Sequence, residues 1–172
     1  PSEGLNLSYL PSLPPAGEVG LVSQSPGLSC TIIDYVTNAQ CGFSHVIDPG
    51  FEQVLTVADY VDMLAFDRKT RCIVLYHESF QQPRKLLSAI RLAAANKPVI
   101  LLKGGQTPGS ADIVINNSGA REDEDGVMKR ALVRAGALLV TSLKELNYAV
   151  QAFAMRKDLA SELKALGAKK DF

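Results

Sequence analysis

The chain of 172 residues has no tryptophan, two histidines and three cysteines. The cysteines are odd in number and form no Cys-x-x-Cys pair, which argues against a disulfide framework or a zinc site and favours reduced thiols in a cytoplasmic protein. Neither His45 nor His77 has a partner at metal-ligand spacing. We therefore expect both to be core or edge residues, and no metal to be bound.

The chain also has no net charge and no long apolar run. No stretch rich in Lys and Arg is interleaved with aromatic residues, so nucleic acid is not expected as a partner. The apolar stretches, such as residues 98–102, are far too short to span a bilayer, and no signal segment is present, so a membrane is not expected either. The hydrophobic content of 47% predicts a globular domain, alone or with a tail.

Short apolar runs alternate with helical patterns along the chain. Candidate strands cover residues 18–22, 43–47, 72–76, 99–102 and 138–140. Their nearly continuous apolar character is typical of strands buried on both faces. This alternation predicts a three-layer α/β/α fold with a five-stranded parallel, doubly wound, flavodoxin-like sheet.

Two helix starts are well marked in the sequence. Ser25 precedes Pro26, which places a capping hydroxyl before a proline at the first helical position. Ser142 and Glu145 have the spacing of a capping box. A last helix is predicted from Asn147 to about Lys170.

The turn after the first strand is a candidate phosphate-binding site. Ser23, Gln24, Ser25 and Gly27 lie where backbone N–H groups and the helix dipole converge, at the edge where ligands bind in open α/β sheets. Taken alone, an ordinary capped turn is the favoured interpretation, because the cap signal by itself explains Ser25 and Pro26.

Other polar residues follow the later strands. Glu78, after the third strand, is expected at the same edge, where a carboxylate can orient an imidazole or simply begin a helix. Lys103 and Gly105 begin a Gly-rich loop that is not a phosphate-binding Walker loop. Residues 121–125 are mostly acidic and are typical of a helix start.

Five short motifs together resemble a known family. They are Ser23-Gln24-Ser25, Gly42-Phe43-Ser44, Leu-Tyr-x-Glu at residues 75–78, Asn-Lys-Pro-Val at residues 96–99 and Lys-x-Gly at residues 103–105. In order and spacing they resemble the second domain of NDP-forming (ADP-forming) acyl-CoA synthetases, related to the succinyl-CoA synthetase alpha subunit. Pat-type protein lysine acetyltransferases carry a similar region. The resemblance covers residues 5–153.

The resemblance implies a phosphoryl relay through a histidine that rests on helix N-termini. Residues Ser23, Gln24, Ser25 and Gly27 match such a helix start, and Glu78 matches the glutamate that steadies the histidine. The histidine itself belongs to a Ser-His-Thr-Gly-Ala motif. Alignment without a gap to Arg134 sets residues 116–120 in this motif, so that Asn117 replaces the histidine and Ser118 and Gly119 follow it.

Asparagine has no nitrogen basic enough to accept a phosphoryl group, so the relay cannot pass through Asn117. Three departures from the family pattern agree: acids at residues 122–125, Pro26 in place of glycine, and Phe51 in place of Asn or Asp. The favoured hypothesis is a domain that is non-catalytic by the usual relay, a regulatory or scaffolding part of a larger protein. An active domain that uses His77, a regulatory region of a Pat-type acetyltransferase and an unrelated anion binder stay open.

The resemblance also implies a division of the chain. Residues 1–16 are expected to be a linker from a preceding CoA-binding domain, residues 17–154 the flavodoxin-like domain, and residues 155–172 a C-terminal helix or linker. No cofactor is expected in this fragment, whereas CoA and ATP/ADP with Mg are implied for the parent protein. The implied partners are CoA-binding and ATP-grasp domains or subunits, and a homo-oligomer is left open.

Overall fold

Five parallel strands form one sheet at the centre of the chain. A computed structural model of the protein describes residues 1–8, 10, 12–78, 82–104 and 125–155. The strands are β1 (Ala16–Ser23), β2 (Phe43–Ile47), β3 (Cys72–His77), β4 (Val99–Lys103) and β5 (Leu138–Val140). They lie in the order β2-β1-β3-β4-β5, and all pairs are parallel. The predicted fold is therefore confirmed, including each strand.

Helices follow the strands on both faces of the sheet. They are α1 (Pro26–Asn38), α2 (Val57–Phe66), α3 (Pro83–Ala94), α4 (Asp125–Arg134) and α5 (Leu143–Met155). The predicted cap of α1 is confirmed, because the Ser25 hydroxyl accepts a hydrogen bond from the Leu28 N–H at 3.3 Å and Pro26 is the first helical residue. A capping box between Thr56 and Asp59 begins α2.

The predicted capping box at α5 forms only in part. The Glu145 N–H donates to the Ser142 hydroxyl at 3.2 Å, as expected. The Glu145 carboxylate, however, accepts from the N–H and the hydroxyl of Thr141, at 2.7 and 2.9 Å, instead of the Ser142 N–H. Two donors on one residue hold the carboxylate more strongly than one. The helix begins at Leu143, directly after the predicted cap Ser142 and four residues before Asn147, where the last helical segment was predicted to begin. The prediction beyond residue 155 lies outside the described residues.

The side chains of the strands alternate between two separate cores. On one face, Val74 and Ile100 pack in a cluster with buried residues of α1 and α5. On the other face, Leu75 and Leu101 pack in a cluster with residues of α2, α3 and α4. Because successive side chains of a strand point to opposite faces, a continuous apolar strand supplies both cores.

The strand order reverses direction between β1 and β3. The chain leaves β1 toward β2 on one side, and all later strands are added on the other side of β1. At such a switch point the loops after the two central strands diverge and leave a crevice at the carboxyl ends. The crevice of this sheet thus lies where Ser23 and His77 end their strands. Among the described residues, no helix is long and apolar enough to cross a membrane.

Candidate functional site

The turn that follows β1 is tightly hydrogen-bonded within itself. Ser23 is buried, and its hydroxyl both accepts from the Ser25 N–H at 3.3 Å and donates to the Ser25 carbonyl at 3.1 Å. The Gln24 N–H extends the β1–β3 ladder by donating to the Tyr76 carbonyl at 3.2 Å. The Leu28 N–H also donates to the Ser25 hydroxyl. Both predicted serine hydroxyls and several N–H groups of the turn are thus used in hydrogen bonds within this segment.

The side chain of Gln24 joins three segments at the switch point. Its Oε1 accepts from the Glu78 N–H at 2.8 Å, and its Nε2 donates to the Glu52 carboxylate. Glu52 lies in the loop between β2 and α2 and also accepts from the Val57 N–H at 2.9 Å. The structure thus brings the predicted residues Gln24 and Glu78 together. Glu52 was missed, since an acid in an irregular loop has no sequence signal.

Glu78 lies at the carboxyl end of β3, at the edge where it was predicted. Its Oε1 accepts from the Tyr76 hydroxyl at 3.0 Å. Burial raises the pKa of Tyr76, and the neighbouring Glu78 carboxylate and this hydrogen bond raise it further. Tyr76 is therefore a neutral donor at neutral pH, and it holds the carboxylate against the sheet.

Gly104, the residue after β4, lies close to Tyr76 and Glu78. The Gly104 N–H donates to the His77 carbonyl at 2.9 Å, and a Cβ atom on Gly104 would lie 2.7 Å from the Tyr76 hydroxyl and 3.1 Å from Glu78 Cγ. A side chain at residue 104 would therefore require Tyr76 or Glu78 to move. Gly104, the middle residue of the Lys-x-Gly motif, thus lies against Tyr76 and Glu78. The predicted Gly105 lies outside the described residues.

Lys103 and His77 are paired across neighbouring strands on the face covered by α2 and α3. Both are buried, and His77 is only 2% exposed. Burial, and to a smaller extent the positive charge of Lys103, together lower the pKa of His77 to about 3. His77 is consequently neutral and shielded at neutral pH, as expected for an ordinary core histidine. Lys103 Nζ donates to the Gly104 carbonyl at 3.2 Å, beneath the site.

Several predicted residues cannot be placed. Asn117, Ser118 and Gly119 lie outside the described residues, as do the acids that precede Asp125, so their roles stay predictions. Gly27 is in the first turn of α1, with no atom within 4 Å of the position that a Cβ would take. The described ranges contain no group of three or more His, Cys, Asp or Glu side chains that could hold a metal ion.

The sheet order and the polar cluster at the β1–β3 edge define a flavodoxin-like domain with its site at the switch point. A family described as the succinyl-CoA ligase-like flavodoxin domain matches residues 16–153. The chain belongs to this family.

Curated relatives with similar sequences are larger proteins. The ADP-forming 4-hydroxybutyrate–CoA ligase of Nitrosopumilus maritimus is 28% identical over 151 residues, which cover 87% of this chain and 22% of that protein. The ADP-forming acetate–CoA ligase of Methanocaldococcus jannaschii is 28% identical over 157 residues, 91% of this chain and 22% of that protein. A trans-feruloyl-CoA synthase from an unknown prokaryotic organism is 32% identical over 136 residues, 77% of this chain and 19% of that protein. The chain thus spans about a fifth of the length of these relatives.

A solved structure supports the fold. The dinucleotide-forming acetyl-coenzyme A synthetase 1 of Ca. Korarchaeum cryptofilum, in complex with phosphate and ADP, matches with a TM-score of 0.74. The match is 23% identical and covers 81% of this chain and 30% of that one. At this identity the likeness establishes the architecture alone.

Proposed function

We propose that this chain is the flavodoxin-like domain of an ADP-forming acyl-CoA synthetase-like protein, and that it no longer carries the phosphorylated histidine of that system. The membership of the family and the names of the relatives support the first part. Asn117 at the histidine position supports the second, because an amide nitrogen has no lone pair available for a phosphoryl group. The domain then acts as a non-catalytic frame that connects other parts of its protein.

The hydrogen bonding of the turn that follows β1 is the observation that carries this proposal. A phosphate at a helix N-terminus needs free N–H groups directed at it. Pro26 has no N–H, the Gln24 N–H donates to Tyr76, and the Ser25 N–H donates to the Ser23 hydroxyl. Three consecutive residues of the turn thus offer no free backbone donor to an anion.

Two carboxylates at the same edge act in the same direction. The Glu52 carboxylate accepts from Gln24 Nε2, and the Glu78 carboxylate accepts from the Tyr76 hydroxyl while the Glu78 N–H donates to Gln24. Two negative charges therefore lie at this edge. A like charge at a few ångströms opposes a phosphate by about 1 kcal/mol or more in a partly screened environment. The edge retains the glutamine and the glutamate of the family pattern while disfavouring the anion.

The parent protein is proposed to use CoA and ATP/ADP with Mg, held by CoA-binding and ATP-grasp domains or subunits. The named activities of the relatives support this. The alternative in which His77 replaces the missing histidine is disfavoured, because a side chain that is 2% exposed cannot reach a phosphoryl donor.

Phosphoryl labelling of the full-length protein tests the proposal. The protein is incubated with ATP labelled at the γ-phosphate, and acid-labile, base-stable label is mapped to peptides. We expect none in this domain, in the natural protein and in the His77→Ala variant alike, whereas an active ADP-forming relative treated in parallel carries label. A phosphohistidine at His45 or His77 contradicts the proposal.

A further inference from the structure

The loop between β2 and α2, residues 48–56, exposes apolar side chains at the edge of the site. Phe51 is 87% exposed and Val54 is 91% exposed. Glu52 lies between them and has a φ of 54°, in the left-handed region that glycine favours. A non-glycine residue keeps this conformation only when its surroundings hold it there.

The Glu52 carboxylate connects this loop to the end of β1 and to the start of α2. One oxygen accepts from Gln24 Nε2 at the end of β1, and the other accepts from the Val57 N–H at the start of α2. The hydrogen bonds from Gly50 to Asp48 and from Glu52 to Pro49 stay within the loop. Those of Thr56 connect the loop to Asp59 in the first turn of α2. Among the hydrogen bonds of the described residues, the one that joins the loop to the end of β1 is thus made by the Glu52 side chain.

Glu52 also determines which way the Gln24 amide faces. The amide carries an acceptor on one side and two donors on the other. With Oε1 on the Glu78 N–H and Nε2 on the Glu52 carboxylate, both sides are satisfied. A flipped amide would place NH₂ against the Glu78 N–H and oxygen against the Glu52 carboxylate, so two repulsive contacts would replace two hydrogen bonds.

We propose that Glu52 is a positioning residue of the switch point: it fixes the orientation of Gln24, and Gln24 in turn holds the backbone of Glu78. The exposed loop and the site glutamate are then connected through two hydrogen bonds in series. A displacement of residues 51–54 breaks the Glu52–Gln24 hydrogen bond first and weakens the hold of Gln24 on the Glu78 N–H second. This inference concerns the same edge as the proposed function but does not depend on the loss of phosphoryl transfer.

NMR of the 15N-labelled chain tests this connection. In Glu52→Ala we expect the Gln24 side-chain NH₂ signals to shift and the Glu78 amide to exchange with solvent about tenfold faster, as the loss of a hydrogen bond to a charged group implies. In Glu52→Gln, which keeps one acceptor oxygen, a smaller acceleration is expected. Amides of the central strands, such as Leu75, keep their protection in both variants.

Asp48→Ala is the matched control, because it removes an acid and a hydrogen bond from the same loop without touching Gln24. The Gln24 and Glu78 signals are expected to be unchanged in it. Unchanged Glu78 exchange in both Glu52 variants overturns the proposal, and so does equal acceleration in Asp48→Ala, which would show a general effect of disturbing the loop. If Glu52→Ala does not fold, Glu52→Gln alone decides. The assay contains no phosphate, CoA or nucleotide, so it can fail independently of the proposed function.

Discussion

At the residue scale, Gly104 is a site residue whose packing leaves little room for a side chain. A methyl group there would lie 2.7 Å from the Tyr76 hydroxyl and 3.1 Å from Glu78 Cγ. We expect Gly104→Ala to lower the free energy of unfolding by about 1–3 kcal/mol, because Tyr76 and Glu78 must move apart. Urea denaturation of the chain measures this loss.

Gly27→Ala is the control for this prediction. No atom lies within 4 Å of the added methyl group, and Gly27 is in the first turn of α1. The change should leave stability within about 1 kcal/mol or raise it slightly, since alanine favours helix over glycine. Equal losses in the two variants would contradict the steric explanation for Gly104.

The lowered pKa of His77 implies that the free energy of unfolding decreases in acid. Its pKa is about 3 in the folded chain against an ordinary value of 6.5. Between these values the unfolded chain binds a proton that the folded chain does not, so stability falls as pH falls below 6.5. We expect a loss on the order of 2 kcal/mol between pH 6.5 and 4.5 from this residue, measured by urea denaturation at each pH.

The His77→Gln variant separates this effect from the titration of carboxylates. Protonation of Asp67, whose pKa is lowered, and of Asp59, whose pKa is about 2, also lowers the free energy of unfolding in acid. This loss is the same in both proteins and occurs mostly below pH 4.5. The variant should therefore lose less stability than the natural chain between pH 6.5 and 4.5. Parallel stability curves for the two proteins would show that His77 does not titrate as described.

Site residues on strand ends could be predicted from the sequence, and those in loops could not. Glu78 was expected at the edge because it follows an apolar strand directly. Glu52 adopts a left-handed φ in a loop without periodicity, and no pattern of residue types indicates that its carboxylate turns back to Gln24. Gly104 was part of a recognised motif, but its close contact with Tyr76 depends on the register of β3 and β4.

At the scale of elements, Lys97 explains one of the family-like motifs. This residue of the Asn-Lys-Pro-Val motif donates from Nζ to the Leu64 carbonyl at 2.7 Å and to the Asp67 carbonyl, both at the end of α2. Helix α2 has no basic residue in its own last turn. Lys97 thus supplies the positive charge that a helix C-terminus favours.

We expect Lys97→Met to destabilise the chain by about 1–2 kcal/mol, because two charge-assisted hydrogen bonds are lost while the aliphatic stem is kept. Thermal or urea denaturation gives the value. Lys85→Met is the matched control, since the Lys85 ion pair with Asp59 lies at the surface and such pairs contribute only about 0.5 kcal/mol. A smaller loss in Lys97→Met than in Lys85→Met would refute this role of Lys97.

The helices and strands themselves were largely predictable. Buried parallel strands form continuous apolar runs, so their positions follow from the pattern of apolar residues along the sequence. The partner of the Glu145 carboxylate at the start of α5 was not predicted, because the sequence pattern of a capping box does not distinguish the Ser142 N–H from the two donors of Thr141. Such choices depend on side-chain geometry that neighbouring residues decide.

At the scale of the whole molecule, the strand order makes the edge between β1 and β3 the place for a ligand. The order β2-β1-β3-β4-β5 brings Gln24 and Glu78, separated by 54 positions in the sequence, within 2.8 Å through side chain and backbone. The sequence predicted that both would lie at this edge. Their direct bond, and the negative charge of Glu52 beside it, required the structure.

The groups at this edge predict that the chain binds anions only weakly. The N–H groups of Gln24 and Ser25 have internal partners, Pro26 has none, and Glu52 and Glu78 add negative charge. Repulsion of about 1 kcal/mol from each carboxylate weakens a phosphate about fivefold per charge. In calorimetric titrations at neutral pH we expect phosphate, ADP and CoA each to bind the chain with a Kd above about 1 mM, the weak end of the affinity scale.

Ser25→Ala serves as the control in these titrations, because it removes the cap of α1 and leaves the acids in place. Weak binding that is unchanged in Ser25→Ala supports the view that the turn is a structural cap. Phosphate binding with a Kd below about 0.1 mM that Ser25→Ala abolishes would instead identify the turn as a working phosphate site. In that case the proposed replacement of the histidine by Asn117 would not have ended phosphate handling by this domain, and the turn would bind the anion despite its internal hydrogen bonds.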